Sequence, residues 1–318
     1  MHRHPPATAP AVDLTVVIPC FNAERYLGEA LTSICSQTLR PAEIIVVDDA
    51  STDRSAEIAR TFGPTVRVIQ CETNSGYCVT PKDIGLDEAR HEFVAFLDAD
   101  DLWLPHKLEL QMPRFRDPEV GLVYGRAQTF ETGMAPKGPV WPRELPVGDV
   151  TTEFYFRCYA PNSSVVARRA VLLEAGGFDR GLEFCEDFDL WLKTALKWRV
   201  DAVPEVVMWY RNHPGQASRR RAVQARAHRL VEERHADALK RATGISEAER
   251  RQRILDRLLG QLSSEFYNER DLSVARLYAE FIEEQFPELD ASTRRDVRRI
   301  YRRTFWPPLL FKIRDLLP

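Results

Sequence analysis

Phe93-Val94-Ala95-Phe96-Leu97-Asp98-Ala99-Asp100-Asp101 is the stretch whose reading decides the fold. Five apolar residues, four of them large, are followed by three carboxylates within four positions, the pattern of a buried strand running out into an acidic tip. A buried strand holds its end still. Two carboxylates at i and i+2 on rigid backbone suit a divalent cation with oxygen ligands, Mn²⁺ or Mg²⁺. Such a cation in turn holds phosphates.

Outward from this strand, the first 116 residues alternate between strand and helix patterns. Leu14–Pro19, Glu43–Val47 and Thr65–Gln70 read as strands, being short β-branched or alternating runs. Helical spacing covers Ala23–Gln37, with Tyr26, Leu27, Ala30, Leu31 and Ile34 on one face. A second helix runs to Phe62 with Asp53 as its cap, a third lies within Tyr77–Arg90 with its start blurred by Pro81, and a fourth follows Pro105 toward Arg116. The alternation predicts an α/β fold, a mainly parallel sheet with helices on both faces and its ligand beyond the carboxyl ends of the strands. Asp48-Asp49 and Asp98-Ala99-Asp100 both fall at such ends. No glycine-rich dinucleotide or P-loop fingerprint follows any strand, so a nucleotide is expected to be held through metal and carboxylates.

Further along, Gly121–Tyr124, Ser163–Ala167 and Val200–Tyr210 read as strands, and Arg168–Ala175 as a short helix closed by Gly176-Gly177. Gly133–Gly148, with four prolines, reads as a loop of the length that lids have. A helix opens at Glu186-Asp187 and turns Phe188, Trp191 and Leu192 to the core. Past His213-Pro214-Gly215 the chain becomes Arg- and Glu-rich, with helical periodicity over 219–242, 247–268, 271–285 and 291–304. The expected organisation is a flexible lead-in over 1–12, an α/β domain over 13–215 and a helical C-terminal region over 216–318.

The formal net charge of −3 argues against a strongly basic nucleic-acid binder, and no nucleic-acid partner is expected. The charge is uneven: residues 216–318 hold 22 Lys and Arg against 16 Asp and Glu, which leaves 22 against 31 in the remainder. Six cysteines form no CxxC pair, and no signal-peptide or membrane-spanning run is visible, so a reducing, cytoplasmic setting is expected.

Several of these pieces, in order, resemble the family 2 glycosyltransferases. They are Thr15–Leu27, Ile45–Asp53, Asn74-Ser75-Gly76, Phe96–Asp101, Gly176–Asp179 and Glu186–Trp191. The resemblance implies a GT-A type, Rossmann-like sandwich and an inverting transfer from a nucleotide-diphospho-sugar, a UDP-sugar above all, to a hydroxyl of a glycan or lipid-linked acceptor in polysaccharide synthesis. It places Pro19, Phe21, Asn22, Glu24, Asp48, Asp49, Asn74, Gly76, Lys82, Asp98, Ala99 and Asp100 at the donor, with either Asp48 or Asp49 on the nucleoside. Asp98, Asp100 and His213 would hold Mn²⁺ or Mg²⁺, and Asp187, beside Glu186, would be the catalytic base. The chain departs from the family at Pro81-Lys82-Asp83, where many relatives carry Ala-Arg-Asn; Lys82 keeps the charge without the bidentate fork.

By sequence chemistry alone the same acids serve equally as turn and helix-cap residues, and His213 as a surface histidine. A non-catalytic nucleotide-sugar-binding or scaffold protein with a partner-recruiting tail is the competing expectation. The arginines of 294–303, followed by the aromatic, apolar run Phe305–Ile313, fit either contact with the inner face of an anionic membrane or packing against the catalytic domain or a second subunit.

Overall fold

The computed structural model describes residues 11–304; Phe305–Ile313 and most of the expected lead-in lie outside them. The chain divides into two compact units, one running to Arg219 and taking in Ala227–Ala242, the other made of Arg220–Arg226 and the described residues from Thr243 onward.

The first unit is built on one sheet. Its strands are β1 (Ala11–Cys20), β2 (Arg40–Asp48), β3 (Val66–Gln70), β4 (Phe93–Phe96), β5 (Leu102–Trp103), β6 (Val120–Phe130), β7 (Val140–Trp141), β8 (Val166–Arg168) and β9 (Arg199–Arg211). Their order is β3-β2-β1-β4-β8-β6-β9-β5, with β7 beside β6. Strands β1 to β4 pair in parallel, as the β-branched runs predict, while β8 runs antiparallel to β4 and to β6. Ala11 and Val12, assigned to the lead-in from sequence, pair with Arg40 and Pro41 in β1. Chain order reverses across β1, which lies between β2 and β4, so the carboxyl ends of these three strands open onto one cleft.

Helices α1 (Leu27–Cys35), α2 (Ser55–Arg60), α3 (Val79–Glu88), α4 (Lys107–Gln111), α5 (Thr151–Phe156), α6 (Arg169–Glu174) and α7 (Glu186–Ala195) belong to this unit. The expected helix over 105–116 is α for one turn and then 3₁₀ over Met112–Arg116, because Pro113 brings no N–H to the ladder. Helix α3 tolerates Pro81 in its first turn. Strand β9 tolerates Pro204 because Pro204-Glu205 bulge outward between the Val203 and Val206 pairings. Helix α5 and strands β5 and β7 carry too little periodicity to be read from sequence. Asp53 does not cap α2 as an N-cap residue; its Oδ1 accepts from the Ser55 N–H and hydroxyl just before the helix.

Helix α8 (Arg221–Thr243) crosses both units. Within the first, Tyr155 Oη donates to the Glu232 carbonyl at 2.7 Å, His228 stacks on Phe188 with ring centroids 4.4 Å apart, and His235 Nε2 meets Asp189 Oδ1 at 2.7 Å. The second unit contains α9 (Glu247–Ser264), α10 (Leu272–Gln285) and α11 (Ala291–Arg303), with a π turn at Glu265–Glu269 where helix to residue 268 was expected. Ser246, Asp271 and Asp290 cap the three helices through their side-chain oxygens. Helix α10 buries Val274, Leu277, Phe281 and Ile282 and packs on both α9 and α11. No helix among the described residues is long and apolar enough to cross a membrane.

Candidate active site

The cleft is built first from the ends of β1 and β2. Pro19, buried, pairs with Val47, and the Asp49 N–H donates to the Cys20 carbonyl at 2.8 Å, which keeps the two strand ends in step. Asn22 turns the chain in the left-handed region (φ 48°). Its N–H donates to Ser51 Oγ at 2.9 Å and its Oδ1 accepts from the Thr52 N–H at 2.9 Å. Glu24 Oε2 accepts from the Arg54 N–H at 3.2 Å, while Phe21 stands 50% exposed over this corner. Asp48 and Asp49 are both buried: Asp48 Oδ2 accepts from Gln70 Nε2 at 3.1 Å, and Asp49 Oδ2 from the Ser75 hydroxyl at 2.8 Å. Asn74 ties its own turn, donating to the Asp49 carbonyl at 3.0 Å and accepting from the Gly76 N–H at 2.8 Å, with Gly76 at φ 90°.

Strand β4 ends in the acidic tip. The Asp98 N–H donates to Ser163 Oγ at 3.1 Å, and the same hydroxyl donates to Asp101 Oδ2 at 2.7 Å. Residues 162–164 are therefore a 3₁₀ turn serving the tip, where sequence predicted a strand beginning at Ser163. Ala99 is buried. Arg211, 1% exposed, clamps the tip: Nε donates to the Asp100 carbonyl at 2.6 Å, Nη1 to Thr132 Oγ1 at 2.8 Å and Nη2 to Glu29 Oε2 at 2.7 Å. Two residues on, His213 Nε2 lies 2.8 Å from Asp100 Oδ2, its ring beside Tyr26 with centroids 4.9 Å apart.

The expected metal triad does not converge. Asp98 Oδ1 is engaged by Asn162 Nδ2 at 2.9 Å and faces Lys82 Nζ at 3.6 Å, whereas Asp100 points to His213. Among the described residues no three His, Cys, Asp or Glu side chains gather as metal ligands. Asp100 and His213 nonetheless offer a carboxylate and an imidazole side by side, a donor pair suited to Mn²⁺ when phosphate oxygens and water supply the rest.

Opposite the tip, α7 begins at Glu186 after Cys185, a non-glycine residue at φ 60°. Glu186 is buried and its Oε1 accepts from Lys82 Nζ at 2.7 Å and Cys78 Sγ at 3.2 Å. Burial opposes its ionisation, but the Lys82 ammonium prevails and holds its carboxyl below the usual value. Lys82 stays charged, its burial outweighed by Asp98 and Glu186. Asp187 is pushed up to about 7, first by burial and then by the negative charge of Glu186 beside it. Its Oδ1 accepts from the neighbouring Phe188 N–H at 2.8 Å.

The structure thus brings Lys82, Asp98, Glu186 and Asp187 into one electrostatic cluster, with Asp100 and His213 beside it. Sequence reading missed Arg211, Asn162, Ser163 and Cys78. Arg211 carried a signal, an arginine ending an apolar strand; the other three carried none.

Residues 15–167 match the model of the family described as glycosyl transferase family 2. An uncharacterized glycosyltransferase of Nostoc sp. is 28% identical over 213 residues, covering 63% of this chain and 65% of that protein. The poly(ribitol-phosphate) beta-N-acetylglucosaminyltransferase TarS of Staphylococcus aureus is 38% identical over 91 residues, 27% of this chain but 16% of TarS. The chain thus spans under two thirds of the length of these relatives. Among solved structures, S. aureus TarS 1–349 in complex with UDP-GlcNAc superposes with a TM-score of 0.66 at 20% identity, covering 92% of this chain and 89% of that one. The mannosyltransferase PcManGT of Pyrobaculum calidifontis, in complex with GDP-Man and Mn²⁺, gives 0.54 at 18% identity over 93% of this chain and 81% of that one. These likenesses establish the GT-A type fold.

Proposed function

Residues 15–167 form a family 2 glycosyltransferase domain, and on that premise we propose that the protein is an inverting transferase, moving a sugar from a nucleotide-diphospho-sugar to an acceptor hydroxyl. The observation that carries this reading is Asp187: a carboxylate at a helix start, with a proton affinity near neutrality, across from the acidic tip of β4. A base of that strength takes a proton readily at physiological pH.

Asp187 accepts the proton of the acceptor hydroxyl as its oxygen bonds to the anomeric carbon. The bond from that carbon to the diphosphate breaks on the opposite face, and the electron pair leaves with the nucleoside diphosphate. Glu186, charged and fixed by Lys82, keeps Asp187 basic. Asp100 and His213 would hold Mn²⁺ or Mg²⁺, which when bound supplies positive charge to the leaving diphosphate. The donor is a UDP-sugar, a choice supported by the UDP and UDP-GlcNAc complexes of TarS. Asp48 or Asp49 would meet the nucleoside, with Phe21 exposed at the same corner for stacking. The acceptor is a glycan or lipid-linked hydroxyl on the cytoplasmic side, with the second unit contacting membrane or a further copy of the chain.

The test is nucleoside diphosphate release from a panel of nucleotide sugars with Mn²⁺ and varied acceptors, comparing the parent with Asp187→Asn. Full turnover by Asp187→Asn removes the assigned base; donor binding with no product on any acceptor makes the protein a nucleotide-sugar-binding module instead.

A further inference from the structure

Lys82 is 3% exposed, and its ammonium is already spent inside the protein. It donates to Glu186 Oε1 at 2.7 Å and stands 3.6 Å from Asp98 Oδ1. One turn earlier, at the N-cap of α3, Cys78 Sγ donates to that same Glu186 oxygen at 3.2 Å. Helix α3 therefore presents two donors to one carboxylate lying 104 residues beyond Lys82. The following residue, Asp83, serves the approach to α7 as well: Oδ1 accepts from the Phe178 N–H at 3.2 Å and Oδ2 from Arg180 Nε at 2.7 Å.

Two further features make this arrangement rigid. Gly85 lies against β1 so closely that a Cβ there would come within 2.2 Å of Val17 Cγ1, so α3 packs backbone-close on the sheet. Cys185, immediately before Glu186, sits in the left-handed region at φ 60°, a conformation that costs energy without glycine and needs surrounding contacts to hold it. The Lys82–Glu186 pair supplies such a contact directly beside Asp187.

We propose that Lys82 is a positioning residue for Asp187, acting through Glu186, and that it does not hold the donor diphosphate. This rests on the transferase reading above. For the ammonium to reach a phosphate it would have to abandon a buried carboxylate, leaving an uncompensated charge, which is among the costliest changes a protein interior can make. As a point charge rather than a fork, it would also gain less at the phosphate than an arginine would. Lys82 and Asp83 together tie down the segment that delivers the base, while the phosphate side is left to Asp100 and His213.

The experiment compares Lys82→Met, Glu186→Gln and the double variant by kcat, by donor KM and by UDP affinity with Mn²⁺ measured calorimetrically. The expectation for Lys82→Met is a UDP Kd within about twofold of the parent and a kcat lower by about 10²-fold, the scale of misplacing a general base. The double variant should be no slower than the slower single one, because both changes disable the same device. A UDP Kd weakened by about tenfold or more with kcat retained, or losses that multiply in the double variant, overturns the proposal. Should Lys82→Met not fold, the double variant, which removes both charges of the pair, carries the UDP titration. Absence of turnover by the parent on every donor and acceptor pair would remove the transferase reading; the UDP titration would then still decide whether Lys82 holds phosphate.

Discussion

Arg211 Nε donates to the backbone carbonyl of Asp100 at 2.6 Å, while the backbone N–H of Arg211 donates to Asp101 Oδ1 at 3.0 Å. The end of β9 thus grips the tip of β4 by main chain and side chain at once, and the same guanidinium lies over the rings of Phe130 and Tyr26 at 4.5 and 4.9 Å. Asp100 and His213 meet because this clamp sets the spacing between their backbones. Arg211→Lys keeps the charge but cannot reach Thr132, Glu29 and the Asp100 carbonyl together. The expected loss is on the order of 3 kcal/mol in urea unfolding, with Mn²⁺-dependent UDP affinity weakened. An Arg211→Lys protein equal to the parent in both would rule out the clamp.

The base assignment predicts a pH profile. Asp187 must be ionised to accept a proton, and its carboxyl sits at about 7, so kcat should fall below neutrality and level off above it. Asp187→Asn should lower kcat by about 10²–10⁴-fold and leave UDP affinity nearly unchanged. Glu186→Gln removes the charge that raises Asp187 while Lys82 still lowers it, so its acid limb should move to lower pH. An unmoved limb would separate Asp187 from Glu186.

Chelation tests the donor pair. Protein treated with EDTA should lose sugar transfer and regain it with Mn²⁺ or Mg²⁺, and Asp100→Asn or His213→Gln should each require more metal for half-maximal rate. Unchanged turnover in EDTA would show that transfer proceeds without metal.

Gly85→Ala tests the packing of α3 on β1. The added methyl meets Val17 in the core, and the expected destabilisation is about 1–3 kcal/mol by thermal or urea unfolding. Because α3 carries Lys82 and Cys78, kcat should fall as well.

Lys107 is fully buried, donates to Gln111 Oε1 at 2.7 Å and lies 4.2 Å from the Trp103 ring centre, and burial lowers its proton affinity well below the ordinary lysine value. The unfolded chain therefore binds this proton more tightly than the folded one, so the lysine's contribution is lost as pH falls through the folded value and is complete only above the unfolded value of about 10.4. Lys107→Met removes this dependence. Its melting temperature relative to the parent should be most favourable near pH 7 and become less so toward pH 10; a difference that is constant with pH would refute the account.

Much of this protein was legible before folding. Strand runs such as Leu14–Pro19 and Phe93–Leu97 declare themselves because burial on both faces demands unbroken apolar sequence, and acids at their ends mark the cleft. The helices of the second unit were read to within a few residues, since their periodicity is a local property. Beyond local pattern, the same acids could equally have been helix caps, and the order of motifs was what pointed to a glycosyltransferase.

The partners of charged side chains were settled by tertiary structure alone. The family resemblance puts Lys82 at the donor, and only the fold shows that its ammonium also meets Glu186. The resemblance puts Asp98, Asp100 and His213 in one metal set, and only the fold shows Asn162 and Lys82 beside Asp98 Oδ1. Sequence was silent about Ser163, whose hydroxyl serves both ends of the acidic tip. The physical reason is the same in each case. Periodicity encodes which face of an element is buried, a property of neighbours three or four residues away, whereas the group that meets a carboxylate in the cleft comes from distant chain, 62 residues for Ser163 and Asp101, 104 for Lys82 and Glu186, 182 for Arg211 and Glu29, brought there by the register of the sheet.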